Sequence, residues 1–300
     1  MIRPAVLQPR LRWLLWLAGF LLLVGVVQSV PLAGLWAAFS RLGAGPLLAL
    51  VVANGLVLLS LTGRWWLVLR AWGYAINYVT LAGYRLAAFG VSYFTPGPQF
   101  GGEPLQVYLT RRHHGLPYDR AVAAVTLDKL LELLVNFSFL VLGVWLIGRQ
   151  GFFSAAVNRS LALFAAGLLV LPAGVLLALA AGRRPFSGLL WLARPLVAPL
   201  DKRLPGVTWS RRYRRVLDVT RSSEALVTDF YRRYPGWLLM ALLASGLSWT
   251  LLLSEYWLML RLLGTGLNLG QAMIALTVAR LAILLPLPGG RGVLEAGQGL

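Results

Sequence analysis

The chain has 300 residues, 58% of them hydrophobic and 13% charged, where an average soluble chain carries about 25% charged residues; a water-soluble fold could not bury that much apolar surface, and its even spread leaves no soluble catalytic domain of the usual ~100 to 200 residues. The net charge of +18 does not imply nucleic acid, because the bases flank apolar runs and gather in one loop, a pattern set by membrane topology. The absence of cysteine excludes disulfides and thiol chemistry, and two adjacent histidines, His113 and His114, are too few for a metal site, so neither metal nor cofactor is expected.

Arg3, Arg10 and Arg12 precede an apolar run from Trp13 to Val30. That run is too long for a signal-peptide core and lacks a clean cleavage site before Pro31, so it reads as a first transmembrane helix. Further spans follow at about Pro46 to Leu61, Ala121 to Ile147, Leu161 to Ala181 and Trp237 to Leu263, close to the ~20 residues that cross a bilayer core. Two more segments, Val79 to Tyr108 and Gln271 to the end, are interrupted by proline and glycine. The expected fold is an all-α polytopic bundle forming one domain over residues 1–300.

Lysine and arginine orient the spans, since they collect on the cytoplasmic side. The loop from Gly182 to Tyr234 holds twelve bases against four acids and is placed inside, together with the N-terminus, Arg64, Arg70, Arg111, Arg112 and Arg120; the expected location is the inner membrane. This bookkeeping closes only if Val79 to Tyr108 enters and returns on one side as a re-entrant hairpin; the alternative is a single kinked span. Non-helical backbone at such depth is tolerated only inside protein or beside water. Within the basic loop, Trp209 to Arg233 alternates bases with Tyr213, Val216, Leu217, Leu226 and Phe230 at helical spacing. It reads either as a helix on the membrane surface or as a solvated connector, and the pattern specifies no function.

The two interrupted segments share a device: Pro96-Gly97 lies seven residues before Glu103, and Pro288-Gly289 seven residues before Glu295. Gly101 and Gly102 fill the first interval and Gly290 and Gly292 the second, and an apolar helix with one arginine precedes each, Arg85 or Arg280. Proline and glycine stop the incoming helix, and a new helix N-terminus inside the membrane favours a negative group. Paired broken helices mark transporters built from repeats, here expected to be inverted. Charges inside spans cost about 2.5 to 3.5 kcal/mol each. Asp128 and Glu132 share a helix face with Lys129 as the nearest counter-charge, read either as an interfacial cluster reaching the cytoplasmic surface or as a proton relay. Glu255 is expected to find a partner on another helix.

The stretch from Gly101 through Leu134, with Gly102, Glu103, the Arg111-Arg112 pair, Asp128 and Lys129, and the later Pro288, Gly289, Gly290, Gly292 and Glu295, resembles the lysylphosphatidylglycerol synthase transmembrane-domain family, also described as flippase-like. The resemblance covers most of the chain and implies a polytopic inner-membrane protein that moves or presents lipids between leaflets, in some members fused to a lysine-transferring domain absent here. Gln106 stands where the family often has arginine. A half-helix starting near Gly292 has too few residues before Leu300 to cross, which implies a truncated sequence or a last element packed on a partner.

The leading expectation is a translocase for an anionic lipid and not an enzyme. Arg85, Arg111, Arg112 and Arg280 attract the headgroup phosphate, Gly101, Gly102, Gly289, Gly290 and Gly292 admit it to the backbone, and Glu103, Glu295, Asp128 and Lys129 gate or couple. The alternatives are a membrane-embedded transferase on a lipid-linked substrate, and a membrane partner that recruits a soluble enzyme. The expected partners are membrane lipids, a second copy of the chain or that enzyme, and no nucleic acid.

Overall fold

The computed structural model describes residues 43–93, 101–151, 153–195 and 209–284. The expected span at Trp13 to Val30, the segment 94–100, and Pro288, Gly289, Gly290, Gly292 and Glu295 lie outside the described residues. Within them the chain forms α1 (Ala44–Ala71), α2 (Tyr78–Tyr93), α3 (Glu103–His114), α4 (Tyr118–Gln150), α5 (Ala155–Ala180), α6 (Pro185–Leu192), α7 (Trp209–Arg233), α8 (Pro235–Leu262) and α9 (Leu269–Leu284), and no strand. Four of these, α1, α4, α5 and α8, are long and apolar enough to cross a membrane. The architecture is an all-α polytopic bundle, as composition and run length predict.

The helix ends follow local chemistry. The Ser154 hydroxyl accepts the Val157 N–H at 3.4 Å and starts α5. A reciprocal capping box starts α9: the Asn268 side chain accepts from Gln271 N–H at 2.9 Å, and the Gln271 side chain accepts from Asn268 N–H at 3.0 Å. Gly115, at φ 65°, closes α3.

The central helix is α4, which touches α1, α3, α5, α7, α8 and α9. Around its first half lies the main core, including Trp65, Val68, Leu69, Leu127, Leu131, Leu179, Val227 and Phe230. A smaller core of Phe137, Leu140, Val144, Ala165 and Leu281 surrounds its second half. Helix α7 lies across the helix ends at one end of the bundle. There Ser223 Oγ donates to Asp119 O at 3.0 Å at the start of α4, and Thr228 Oγ1 donates to Leu179 O at 2.8 Å at the end of α5. Directly after α7, Tyr234 precedes the first residue of α8.

Helices α2 and α3 pack antiparallel. Tyr84 Oη lies 3.2 Å from His114 Nε2 near the end of α3, while Ser92 Oγ accepts the Gly102 N–H at 2.9 Å near its start. The pair therefore starts and finishes at the end of the bundle where α1 stops and α4 begins. A Cβ on Gly102 would sit 2.2 Å from the Ala88 carbonyl oxygen, so this glycine lets the start of α3 lie directly on the α2 backbone.

A displacement of 191 positions carries α1 onto α8, each 28 residues long, and α2 onto α9, each 16 residues long. The connecting turns match in detail. Trp66 Nε1 donates to Ile76 O at 3.2 Å and Trp257 Nε1 to Leu267 O at 2.8 Å. Gly73 has φ 84° and Gly264 φ 83°. Arg70 stacks over Trp66 at 5.0 Å and Arg261 over Trp257 at 5.4 Å. The two long helices pack antiparallel through two hydrogen bonds, Arg64 Nη1 to Ser245 Oγ at 3.1 Å and Asn54 Nδ2 to Glu255 Oε1 at 2.8 Å. The same displacement takes Asn54 to Ser245 and Arg64 to Glu255, so each bond occupies the place of the other. Asn54 is the interhelical partner that Glu255 requires.

One expectation is corrected. The second span does not stop at Leu61 with Arg64 as its cytoplasmic flank: α1 continues to Ala71, and Arg64 is 2% exposed inside the bundle. The helix tolerates that charge because two carboxylates of α4 receive it.

Candidate functional site

Five helices deliver polar groups to one interior point. Asp128 sits between two arginines: Arg64 Nε donates to its Oδ1 at 2.7 Å, and Arg85 Nη2 donates to its Oδ2. All three side chains are 3% exposed or less. Glu132, one turn along α4, accepts from Arg64 Nη2 at 3.2 Å and lies 3.7 Å from Arg85 Nη1. Lys129 joins Glu132 at 3.1 Å to Glu103 of α3 at 3.3 Å, and Glu103 Oε2 accepts the Gly101 N–H at 2.8 Å. Trp65 lies beneath Arg85 at 5.7 Å. Burying ions is unfavourable unless each is paired and hydrogen-bonded, and here every carboxylate oxygen named has a cationic or amide partner.

This geometry revises the sequence reading in part. Lys129 is a counter-charge of Glu132, as expected, and also reaches Glu103, whereas Asp128 is neutralised by Arg64 and Arg85. Of the expected interfacial cluster, Asp128 is buried, while Lys129 and Glu132 keep 15% and 16% side-chain exposure and are ion-paired within the bundle.

Arg280 sits elsewhere. Its Nη1 donates to Asn136 Oδ1 at 3.2 Å, and its guanidinium lies 4.3 Å from the centre of the Trp249 ring, which stacks on Phe139 at 5.0 Å. Its Nε is buried and makes no hydrogen bond among the described residues. No carboxylate lies within ion-pair distance of Arg280 among them. Arg280 and Asn136 line a cavity of about 280 Å³ together with Glu132, Ser248, Trp249 and Phe89. A smaller cleft bounded by Arg85, Glu103 and Lys129 shares Phe89, Ser92 and Glu132 with that cavity. One wall of the combined space is thus a run along α4 from Lys129 through Glu132 to Asn136, about 10 Å at 1.5 Å per residue.

The approach of α9 to α4 depends on Gly143, where an added Cβ would lie 1.9 Å from Thr277 Oγ1. Thr277 is one turn before Arg280. Gly143→Ala is therefore expected to push α9 away, lowering stability by about 1–3 kcal/mol and shifting Arg280 from Trp249. Thermal unfolding in detergent measures the first effect, and partial recovery in Gly143→Ala/Thr277→Ala identifies the contact.

Of the residues expected from sequence, Arg85, Glu103, Asp128, Lys129 and Gly101 come together, and Arg280 faces the adjoining cavity. Arg111 and Arg112 are exposed at the far end of α3, about 12 Å along the helix from Glu103, and Arg111 stacks over Tyr118 at 5.6 Å. Arg64, Asn136, Ser245 and Trp249 were not expected. Asp128, Glu132 and Asn136 recur every four residues, a polar stripe on one face of an apolar helix, and that period was the available signal for Asn136.

A family model described as lysylphosphatidylglycerol synthase TM region matches residues 10–300. No curated protein and no solved structure matches the chain.

Proposed function

Because the chain belongs to the lysylphosphatidylglycerol synthase transmembrane-region family, we propose that this integral membrane protein carries the headgroup of an anionic lipid between leaflets. The observation that carries the reading is the cavity beside Arg280. The guanidinium touches a neutral amide and an indole, and Glu132 lines the same cavity without pairing to it within 4 Å, so Arg280 has a donor left over for a bound anion among the described residues. At about 280 Å³ the space is near the lower bound of small-molecule sites, suited to a headgroup whose acyl chains stay in lipid.

The matched α1–α2 and α8–α9 units support the same reading. Their first helices run in opposite directions and exchange bonds under one displacement, which supports an inverted repeat, and in proteins built that way the site lies between the copies. In this reading α2 and α3 form a re-entrant hairpin, and the end of the bundle that carries α7 and the N-terminus face the cytoplasm of a cell whose inner membrane holds the protein.

The reading is tested by reconstituting the purified protein in liposomes and following transfer of a fluorescent phosphatidylglycerol between leaflets. Transfer faster than in protein-free liposomes is expected, with Glu103→Gln slower because Lys129 then loses one carboxylate partner. Rates equal to protein-free liposomes for every anionic lipid tried would falsify it.

A further inference from the structure

The bases of α7 line neither the buried cluster nor the cavity, yet the helix that carries them is held in a fixed place. Helix α7 is tied down along one face. Its Glu224 carboxylate accepts the Phe186 and Ser187 N–H groups at 2.7 and 3.2 Å, capping α6. Ser223 and Thr228 bond to the ends of α4 and α5, and Phe230 is fully buried against Trp72. Arg211, Arg212, Arg214, Arg215 and Arg221 of the same helix are exposed, with Asp218 as the one acid in that stretch.

A second helix lies beside those arginines. Tyr213 Oη donates to Leu190 O at 2.7 Å, pinning α6 to the start of α7. Leu189, Trp191 and Leu192 of α6 remain 55–68% exposed, as does Val216 of α7 at 53%. Two kinds of surface would attract the arginines: an acidic protein, or anionic headgroups. The exposed leucines and tryptophan decide between them. Tryptophan beside basic residues, level with the ends of membrane-spanning helices, is the composition of an element seated in the bilayer interface, and α7 is bonded to the ends of α4 and α5 and runs directly into α8.

We propose that α6 and α7 form an interfacial platform that binds the headgroups of anionic phospholipids in the leaflet on that side, through Arg211, Arg212, Arg214 and Arg215, with Trp191 and its leucine neighbours in the acyl boundary. The platform acts whether or not the bundle moves lipid.

The chain has no cysteine, so Val216→Cys gives a single attachment point for an environment-sensitive fluorophore on the full protein. In nanodiscs of phosphatidylcholine with about 30 mol% phosphatidylglycerol, emission is expected to rise about twofold over phosphatidylcholine alone. It falls back at about 1 M salt, where the screening length is about 3 Å. Changing the four arginines to glutamine removes the response, and changing them to lysine keeps it. Equal emission in the two compositions overturns the proposal, as does a response that survives the glutamine changes or is lost with lysine. A larger response to soluble polyglutamate added to phosphatidylcholine discs also overturns it and reassigns the face to an acidic protein.

Discussion

Asp128→Ala is expected to destabilise the protein by about 3–5 kcal/mol, the loss typical of breaking a buried ion pair from one side. Arg64 and Arg85 both bond to this carboxylate and both are buried. Without it two guanidiniums share Glu132, which already holds Lys129 at 3.1 Å. The expected readout is a loss of folded protein in detergent, seen as early aggregation and a lowered unfolding temperature. Replacing the acid together with one base, in Asp128→Leu/Arg64→Met, is expected to recover much of the loss, because apolar residues of similar volume can substitute for a buried pair. A double variant as unstable as Asp128→Ala would show that the carboxylate serves something other than charge balance.

Arg280→Ala is expected to do the opposite: to slow transfer of phosphatidylglycerol by about 10- to 100-fold while leaving stability within about 1 kcal/mol of the parent. The rate effect follows from losing a charge-assisted hydrogen bond worth about 1.5–3 kcal/mol, at about 1.4 kcal/mol for each factor of ten. The small stability effect follows from two terms that offset. The variant loses the contact with Trp249 at 4.3 Å, about 0.5–2 kcal/mol, and removes a half-buried cation that makes no ion pair within 4 Å among the described residues. Arg280→Lys keeps the charge without the planar fork and is expected to fall between the two. The idea fails if Arg280→Ala transfers lipid at the parent rate, or if its activity loss only tracks unfolding. The contrast between the two variants separates a structural charge from a functional one.

That contrast was invisible in the sequence, where Arg85 and Arg280 looked equivalent, each the lone arginine of an apolar helix before a Pro-Gly break. Their partners differ because neighbouring helices differ. Arg85 meets the acids of α4, whereas Arg280 meets Asn136 and Trp249, and tertiary neighbours cannot be read from spacing along one helix. What was legible is what depends on local pattern: an all-α membrane bundle, the shared helix face of Asp128 and Glu132, a need for company at Glu255, and the helical spacing of Trp209 to Arg233. Arg64 was misplaced for a physical reason. It follows the most apolar part of α1, so hydropathy reads it as a flank, while Trp65, Leu67, Val68 and Leu69 continue the buried face beyond it. The α1–α2 and α8–α9 match was only partly legible, because the shared elements are bond patterns and turn geometry more than identical residues.

The ion cluster also constrains how the protein is made. Arg64 precedes Asp128 by 64 positions, Arg85 precedes it by 43, and Ser245 follows Arg64 by 181. A nascent chain emerges N-terminus first, so α1 and α2 reach the insertion machinery carrying buried-type charges before their counter-ions have been synthesised. Either helix released alone into hydrocarbon would expose a guanidinium to lipid. Full neutralisation of Arg64 and Arg85 therefore waits for α4, and until then each unpaired guanidinium costs its helix about 2.5–3.5 kcal/mol at a bilayer centre.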